Sequence, residues 1–253
     1  MAFKRHWIRQ GWPVAGGLLA LSVIPVAAGV ARLVSMATGA PITLANARFF
    51  AHPLPVQVHI VGACLFCILG ALQFWLGFRR RFPRWHRTAG RMLAPATLAA
   101  GLSGLWMNQF FPYGPNDGLL LCFFRLIFGT GMLLAMVLGI AAILRRDVAK
   151  HRAWMMRAYA IGLGAGTQPA TQLPWILAVG VPGELPRALL MGGAWVLNLA
   201  VAEWFIRRQA DSADQSHSSS SQFLRQHVKH QPDAATGVEF PVRHQPDRKH
   251  QRC

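Results

Sequence analysis

The sequence predicts an all-α fold: a polytopic membrane bundle of six transmembrane helices, both termini cytoplasmic, with a disordered C-terminal tail. Three observations carry this reading. Of the 253 residues, 53% are hydrophobic and only 14% charged, too little charged surface for a soluble domain of this size. The apolar residues come in blocks of about twenty, the length a helix needs to cross a hydrocarbon core of roughly 30 Å. Between the blocks, basic clusters alternate from rich to poor, as they do when Lys and Arg resist translocation.

The first block covers 13–36, behind Lys4, Arg5 and Arg9. It exceeds the roughly 7–15 apolar residues of a secretory signal and reads as a retained first span. Further spans are expected at 56–78, 92–111, 118–144, 158–179 and 188–206. Pro25, Pro95, Pro169 and Pro174 fall inside spans and mark kinks, tolerated where neighbours satisfy the freed carbonyls. The fifth span, reading Gly162-Leu163-Gly164-Ala165-Gly166-Thr167-Gln168-Pro169, is expected to bend or partly unwind.

Sixteen Lys and Arg collect on one side of these spans, in the N-terminal segment, at 79–91, at 145–157 and at Arg207-Arg208. The other side holds Arg48 and Arg187 with Asp117 and Glu184, and Arg32 lies near it. The rich side is therefore expected to be cytoplasmic, which implies a bacterial inner membrane location with both ends inside. Trp12, Trp75, Trp85, Trp154 and Trp204 fall near the inner boundary, and Trp106 and Trp175 near the outer one, as in interfacial aromatic belts.

The six-helix membrane domain is expected to cover 1–208. Residues 209–253 are Ser-, Gln- and His-rich with few apolar positions, which predicts a disordered tail. The net charge of +17 lies almost wholly in the membrane domain, in short clusters with no aromatic-basic face, so nucleic acid is not an expected partner. The expected partners are the lipid bilayer, anionic lipid headgroups on the basic side, and a membrane-protein partner if the chain serves as a scaffold.

The two long basic loops echo each other. One reads Arg80-Arg81-Phe82-Pro83-Arg84-Trp85-His86-Arg87 and ends at Gly90-Arg91; the other reads Arg145-Arg146-Asp147-Val148-Ala149-Lys150-His151-Arg152 and ends at Trp154-Met155-Met156-Arg157. Each His-Arg pair begins an amphiphilic entry into the next span, which suggests two related helix-loop-helix units, and internal repeats often place sites at their interface. With His59, Gly70-Ala71-Leu72-Gln73-Phe74 and the stretch Trp154-Met155-Met156-Arg157-Ala158-Tyr159, these loops make spans two to five similar to DUF2306, a bacterial membrane-protein family of unknown function. The resemblance implies a membrane location and little chemistry.

Two groups of polar residues are candidates for a site. Arg125 lies about two turns into span four, where a charge either snorkels to the interface or faces a partner or a water-filled cavity; the second reading is preferred. His59 sits near the same depth on a stripe with Gly62, Phe66, Gly70, Gln73 and Gly77, whose small residues mark a close packing face. It is either a structural hydrogen-bonding residue or a ligand-binding one. Gln168 and Gln172, with Asn108 and Gln109, complete an expected outer-half pocket. On the cytoplasmic side, His86, Arg87, Arg91, His151, Arg152 and Arg157 form the second candidate, a ligand, anion or proton site with contacts to lipid headgroups.

Other patterns carry less. Cys64 and Cys67 form a C-x-x-C in an apolar helix, a setting that disfavours the reactive thiolate. The glycines at 162, 164 and 166 follow no strand, so a dinucleotide loop is not expected. No metal site is expected, and no nucleophile–base arrangement or paired carboxylates appear, so a non-enzymatic role is ranked first: small-molecule binding or transport, or scaffolding of a membrane complex. The alternative is a redox protein associated with haem or quinone, with His59, His86 or His151 as ligands in the manner of helical bundles.

Overall fold

The computed structural model describes residues 11–44 and 46–229, with side chains described through residue 211 and at residue 215. Lys4, Arg5, Arg9 and the tail from 230 onward lie outside the described residues. The described residues contain helices and no strand: α1 (Trp12–Ala37), α2 (Ala47–Ala51), α3 (Pro53–Gln73), α4 (Leu76–Arg81), α5 (Pro83–Phe110), α6 (Leu119–Leu144), α7 (Val148–Gly162), α8 (Gly164–Ala178) and α9 (Glu184–Lys229). Four are long and apolar enough to cross a membrane: α1, α3, α6 and the Glu184–Asp211 part of α9. Their outward faces carry large apolar side chains such as Val23, Ile24, Val61, Leu134, Val137 and Val196, all exposed. Continuous apolar surface on this scale is suited to lipid rather than water.

Helix α5 runs 28 residues, but its first turns hold Arg84, Arg87 and Arg91, so its apolar part begins near Met92. Helices α7 and α8 hold 15 residues each. The break between them falls at Leu163, between Gly162 and Gly164, within the stretch expected to bend. A Cβ on Gly162 would meet the Phe66 ring at 2.4 Å, and one on Gly164 the Trp195 indole at 2.2 Å. Glycine at both positions lets two neighbouring aromatic rings lie against the backbone on either side of this break.

The expected span 56–78 is likewise divided. Helix α3 ends at Gln73, and Trp75 takes an extended conformation before α4 carries Arg79, Arg80 and Arg81 in its last turn. The Trp75 ring stacks on Phe78, so the turn leaves an aromatic pair beside a basic turn, a pairing suited to a membrane interface. Three helices open with proline in the first two positions, α1, α3 and α5, where its missing N–H costs no intrahelical bond.

The first unit, residues 1–206, holds the core. Helix α3 packs against α5 and α1, α6 against α7 and α5, and α1 against α8. Phe66, Ala71, Ala135, Met136, Ala158, Tyr159 and Leu163 form one buried cluster, and Leu121, Ala188 and Met191 a second that joins α6 to α9. Tyr159 donates its hydroxyl to the Cys67 carbonyl at 3.0 Å and lies between Phe66 and Phe74. The small-residue stripe of α3 is the surface that permits this: a Cβ on Gly62 would lie 2.6 Å from the Ala96 carbonyl, and one on Gly70 the same distance from the Tyr159 ring.

The second unit is residues 207–253. Its described part, through Lys229, is helical, whereas composition predicts disorder from 209. No glycine or proline stands between Gly193 and Pro232, so nothing in the chain terminates the helix at the end of the apolar segment.

Candidate functional site

The five charged residues of the basic-poor side gather at one end of the bundle, around Asp117 in the connection between α5 and α6. Its carboxylate is 6% exposed. Arg125 Nη1, two turns into α6, donates to Oδ2 at 2.9 Å, and Arg187 Nε, at the start of α9, donates to Oδ1 at 2.8 Å. Burial pushes the Asp117 carboxyl up, but the charges and hydrogen bonds of Arg125 and Arg187 outweigh it and hold the group below the usual carboxylate range. A buried carboxylate is stable only when so paired.

Arg48, on α2, donates Nη1 to the Pro112 carbonyl at 3.0 Å, while its buried Nε has no partner. Arg32 and Arg48 both stand over the Phe49 ring, at 4.4 and 4.8 Å. Burial lowers the Arg48 guanidinium despite the nearby Asp117. Glu184 lies against Gly118. Four arginines face two carboxylates in this group, so it carries a formal excess of positive charge at the mouth of a cavity.

That cavity has a volume of about 590 Å³ and runs from Arg48, Asp117 and Arg125 inward to Thr97, Gln168 and Cys67. Its size is within the range of roughly 300–1,000 Å³ usual for small-molecule sites. The walls are mainly apolar, from Pro25, Ile60, Leu105 and Met132 among others. His59 lines it and donates Nδ1–H to the Ala100 carbonyl at 2.8 Å. A carbonyl can only accept, so this bond fixes the tautomer and leaves Nε2 as an acceptor. Farther in, Thr97 Oγ1 and Gln168 Nε2 are buried without a hydrogen-bond partner.

The structure thus brings His59, Arg125 and Gln168 to one cavity. Asn108 also lines it, with Nδ2 donating to the Cys122 carbonyl at 3.0 Å. Gln172 is not among the lining residues: its Nε2 donates back to the Gln168 carbonyl at 3.3 Å, because residues four apart on a helix share a face. Gln109 is exposed. Sequence reasoning counted Asp117, Arg48 and Arg187 only as charges, and Thr97 not at all. A carboxylate in a short connection between two apolar blocks, on the side that holds few charges, was a usable signal for Asp117; a threonine in an apolar span gives none.

The second group lies along α5 and α7. His151 donates Nδ1–H to the Gly139 carbonyl at 2.8 Å, whereas the matching atom of His86 is buried and unpartnered. The two histidines lie close enough for His151 to bear on His86, and burial, helped by Arg79, His151 and Arg87, pushes His86 down to about 4. Arg87, Arg91 and Arg152 are exposed. Arg157 differs from the expectation of an open headgroup contact. Its Nε and Nη2 grip the two Glu203 oxygens, the latter at 3.0 Å, and its guanidinium stands 4.7 Å from the Trp154 ring. Such a bidentate pair commits the charge within the bundle, and a carboxylate inside the last apolar block was the signal for it. Among the described residues, no three His, Cys, Asp or Glu side chains gather to hold a metal.

Comparison with curated proteins and with solved structures gives no match. Residues 56–206, more than half of the chain and including both candidate groups, match the family model described as "Predicted membrane protein (DUF2306)". With its apolar helices and this match, the chain belongs to the DUF2306 family of predicted membrane proteins.

Proposed function

We propose that the chain crosses the bacterial inner membrane six times, with both termini cytoplasmic, and binds or carries a small amphiphilic anion in the cavity between Arg125 and Gln168. It acts without catalysing a reaction. The four long apolar helices supply four of the spans, the apolar part of α5 supplies the third in chain order, and the end of α7 with α8 supplies the fifth. This order agrees with the basic-residue alternation, and it is supported by the meeting of Arg32, Arg48, Asp117, Glu184 and Arg187 at one end of the bundle. The exposed Arg87, Arg91 and Arg152, with His86 and His151, then face the cytoplasm, where the arginines meet anionic headgroups.

The observation that carries the ligand reading is the cavity itself, with excess guanidinium charge at its mouth and apolar walls within. Anions with a hydrocarbon body fit such a gradient, because the charge stays among donors while the chain replaces water against the walls. The Asp117 carboxylate is held in two ion pairs, which leaves no free base there and favours binding over catalysis. For the alternative, a haem or quinone redox centre, the histidines are divided. His59 bonds to Ala100, which lies fourteen positions along α5 from His86, about 21 Å at 1.5 Å per residue.

The reading is tested by measuring palmitate binding to the purified chain in lipid nanodiscs. Arg48→Gln, which removes a guanidinium that makes no ion pair among the described residues and holds an unpartnered Nε, is expected to weaken binding about tenfold, the effect of one charge-assisted hydrogen bond. Unchanged affinity in Arg48→Gln and in Arg125→Lys would end it.

A further inference from the structure

Thr97 is 1% exposed and Gln168 8%, and both line the inner end of the cavity. Their polar atoms Oγ1 and Nε2 have no partner. Other hydroxyls in the bundle behave differently. Ser22 donates to Leu18, Ser103 to Ala100, Thr130 to Leu126 and Thr171 to Leu190, each to a backbone carbonyl, while Thr167 donates to the Asn198 side chain. A helical threonine ordinarily finds such an acceptor, and hydrocarbon around a membrane helix offers no substitute. Two unpartnered polar groups facing one cavity from α5 and α8 are costly unless something placed in the cavity satisfies them.

The chemistry of that occupant follows from the three groups. Gln168 Nε2 only donates; the Thr97 hydroxyl donates or accepts; His59 Nε2, with Nδ1–H committed to Ala100, only accepts. Thr97 stands one turn from Ala100 on α5, so its hydroxyl is near the His59 contact. A hydroxyl oxygen meets all three demands, since it accepts from Gln168 or Thr97 and donates to His59. An apolar chain end meets none.

We infer that the ligand is an oxygenated acidic amphiphile, bearing a hydroxyl on its buried end in addition to the anionic group at the mouth. This rests on the ligand reading proposed above and specifies its other end. Thr97 lies fourteen positions before Phe111 at the outer end of α5, about 21 Å of helix rise, so the chain between the two groups is of fatty-acyl length.

The experiment compares four probes on the full-length protein in nanodiscs: palmitate, ω-hydroxypalmitate and the methyl ester of each. The ω-hydroxyl is expected to tighten binding about tenfold. Thr97→Val with Gln168→Met should erase that gain, so that the hydroxylated and plain acids bind the double variant equally. Equal affinity with and without the hydroxyl, or a gain that survives in the double variant, overturns the inference; water then satisfies the two groups. The esters separate the two ideas. If ester and acid bind equally, the anionic end is wrong, while a hydroxyl gain within the ester pair still upholds the buried subsite. Absence of binding by all four overturns both. Thr97→Val removes only an unpartnered hydroxyl from an isosteric side chain, so the folded protein is available for the comparison.

Discussion

Asp117 divides its two carboxylate oxygens between an arginine eight residues away and one seventy residues away. Replacing it with Asn leaves two guanidiniums without a counter-charge in a half-buried setting. A loss of about 2–3 kcal/mol is expected, at or below the ~3–5 of a fully buried pair because both arginines are about a third exposed; thermal unfolding in detergent measures it. Its lowered carboxyl adds a pH dependence. The folded value lies below the unfolded one, so this stabilisation is complete above the ordinary carboxylate value and is lost as pH falls through the folded value. The Asn variant should lack that acid-side loss. His86 acts in a different window. Its folded value of about 4 lies below the ordinary 6.5, so the unfolded chain takes up the proton first and stability falls as pH drops from about 6.5 to 4. His86→Gln should flatten the unfolding profile there, and an unchanged slope would show that His86 is protonated in the folded state. At Thr97 the expected sign is reversed: Thr97→Val should stabilise the ligand-free protein by about 1 kcal/mol, since it removes an unsatisfied buried hydroxyl and keeps the shape. Arg125, His59 and Gln168 were legible as site candidates because a polar side chain in an apolar block is conspicuous. Thr97 was not, because threonine is ordinary in membrane helices and only its lack of a partner sets it apart.

The connection between α6 and α7 is an element whose chemistry is local. Arg146 has a left-handed φ of 61°, its N–H bonds to the Ile143 carbonyl, and the Asp147 N–H reaches back to Ala142. That is the glycine-type helix end, made here with arginine. Asp147 then caps α7 by accepting from the Lys150 N–H at 2.9 Å, the bond that chiefly holds its carboxyl below the ordinary range. Arg146→Gly should raise stability by up to about 1 kcal/mol by relieving the left-handed strain, read as a higher midpoint in thermal unfolding; a lower midpoint would mean that the Arg146 side chain holds a contact worth more than the strain. The loop echo was visible in the sequence, yet the two loops differ in build: the first inserts α4, the second turns within three residues. Block length and charge were legible because the bilayer fixes them. The interruption of the fifth span was legible in its run of glycines; the break at Trp75 was not, because the run from 56 to 78 carries no such signal.

At the scale of the whole molecule, the proposed topology assigns opposite sides to the connection at Asn116 and the loop at Arg84. Single-cysteine variants at these positions, in a chain with its native cysteines replaced by serine, should separate under a membrane-impermeant thiol reagent. In intact spheroplasts Asn116→Cys is expected to label and Arg84→Cys only after permeabilisation; the opposite pattern would invert the orientation, and labelling of both would change the number of spans. The pairing at Asp117 also bears on biogenesis. Arg125 can reach it as soon as the fourth of the proposed spans has inserted, but Arg187 arrives only with the last. Until then one carboxylate oxygen lacks its second guanidinium, and the wall that Met191 and Trp195 give the cavity is missing. A chain cut short before its final helix therefore has neither a fully paired Asp117 carboxylate nor a closed pocket. On the proposed reading, completion of synthesis and competence to hold a ligand become the same event.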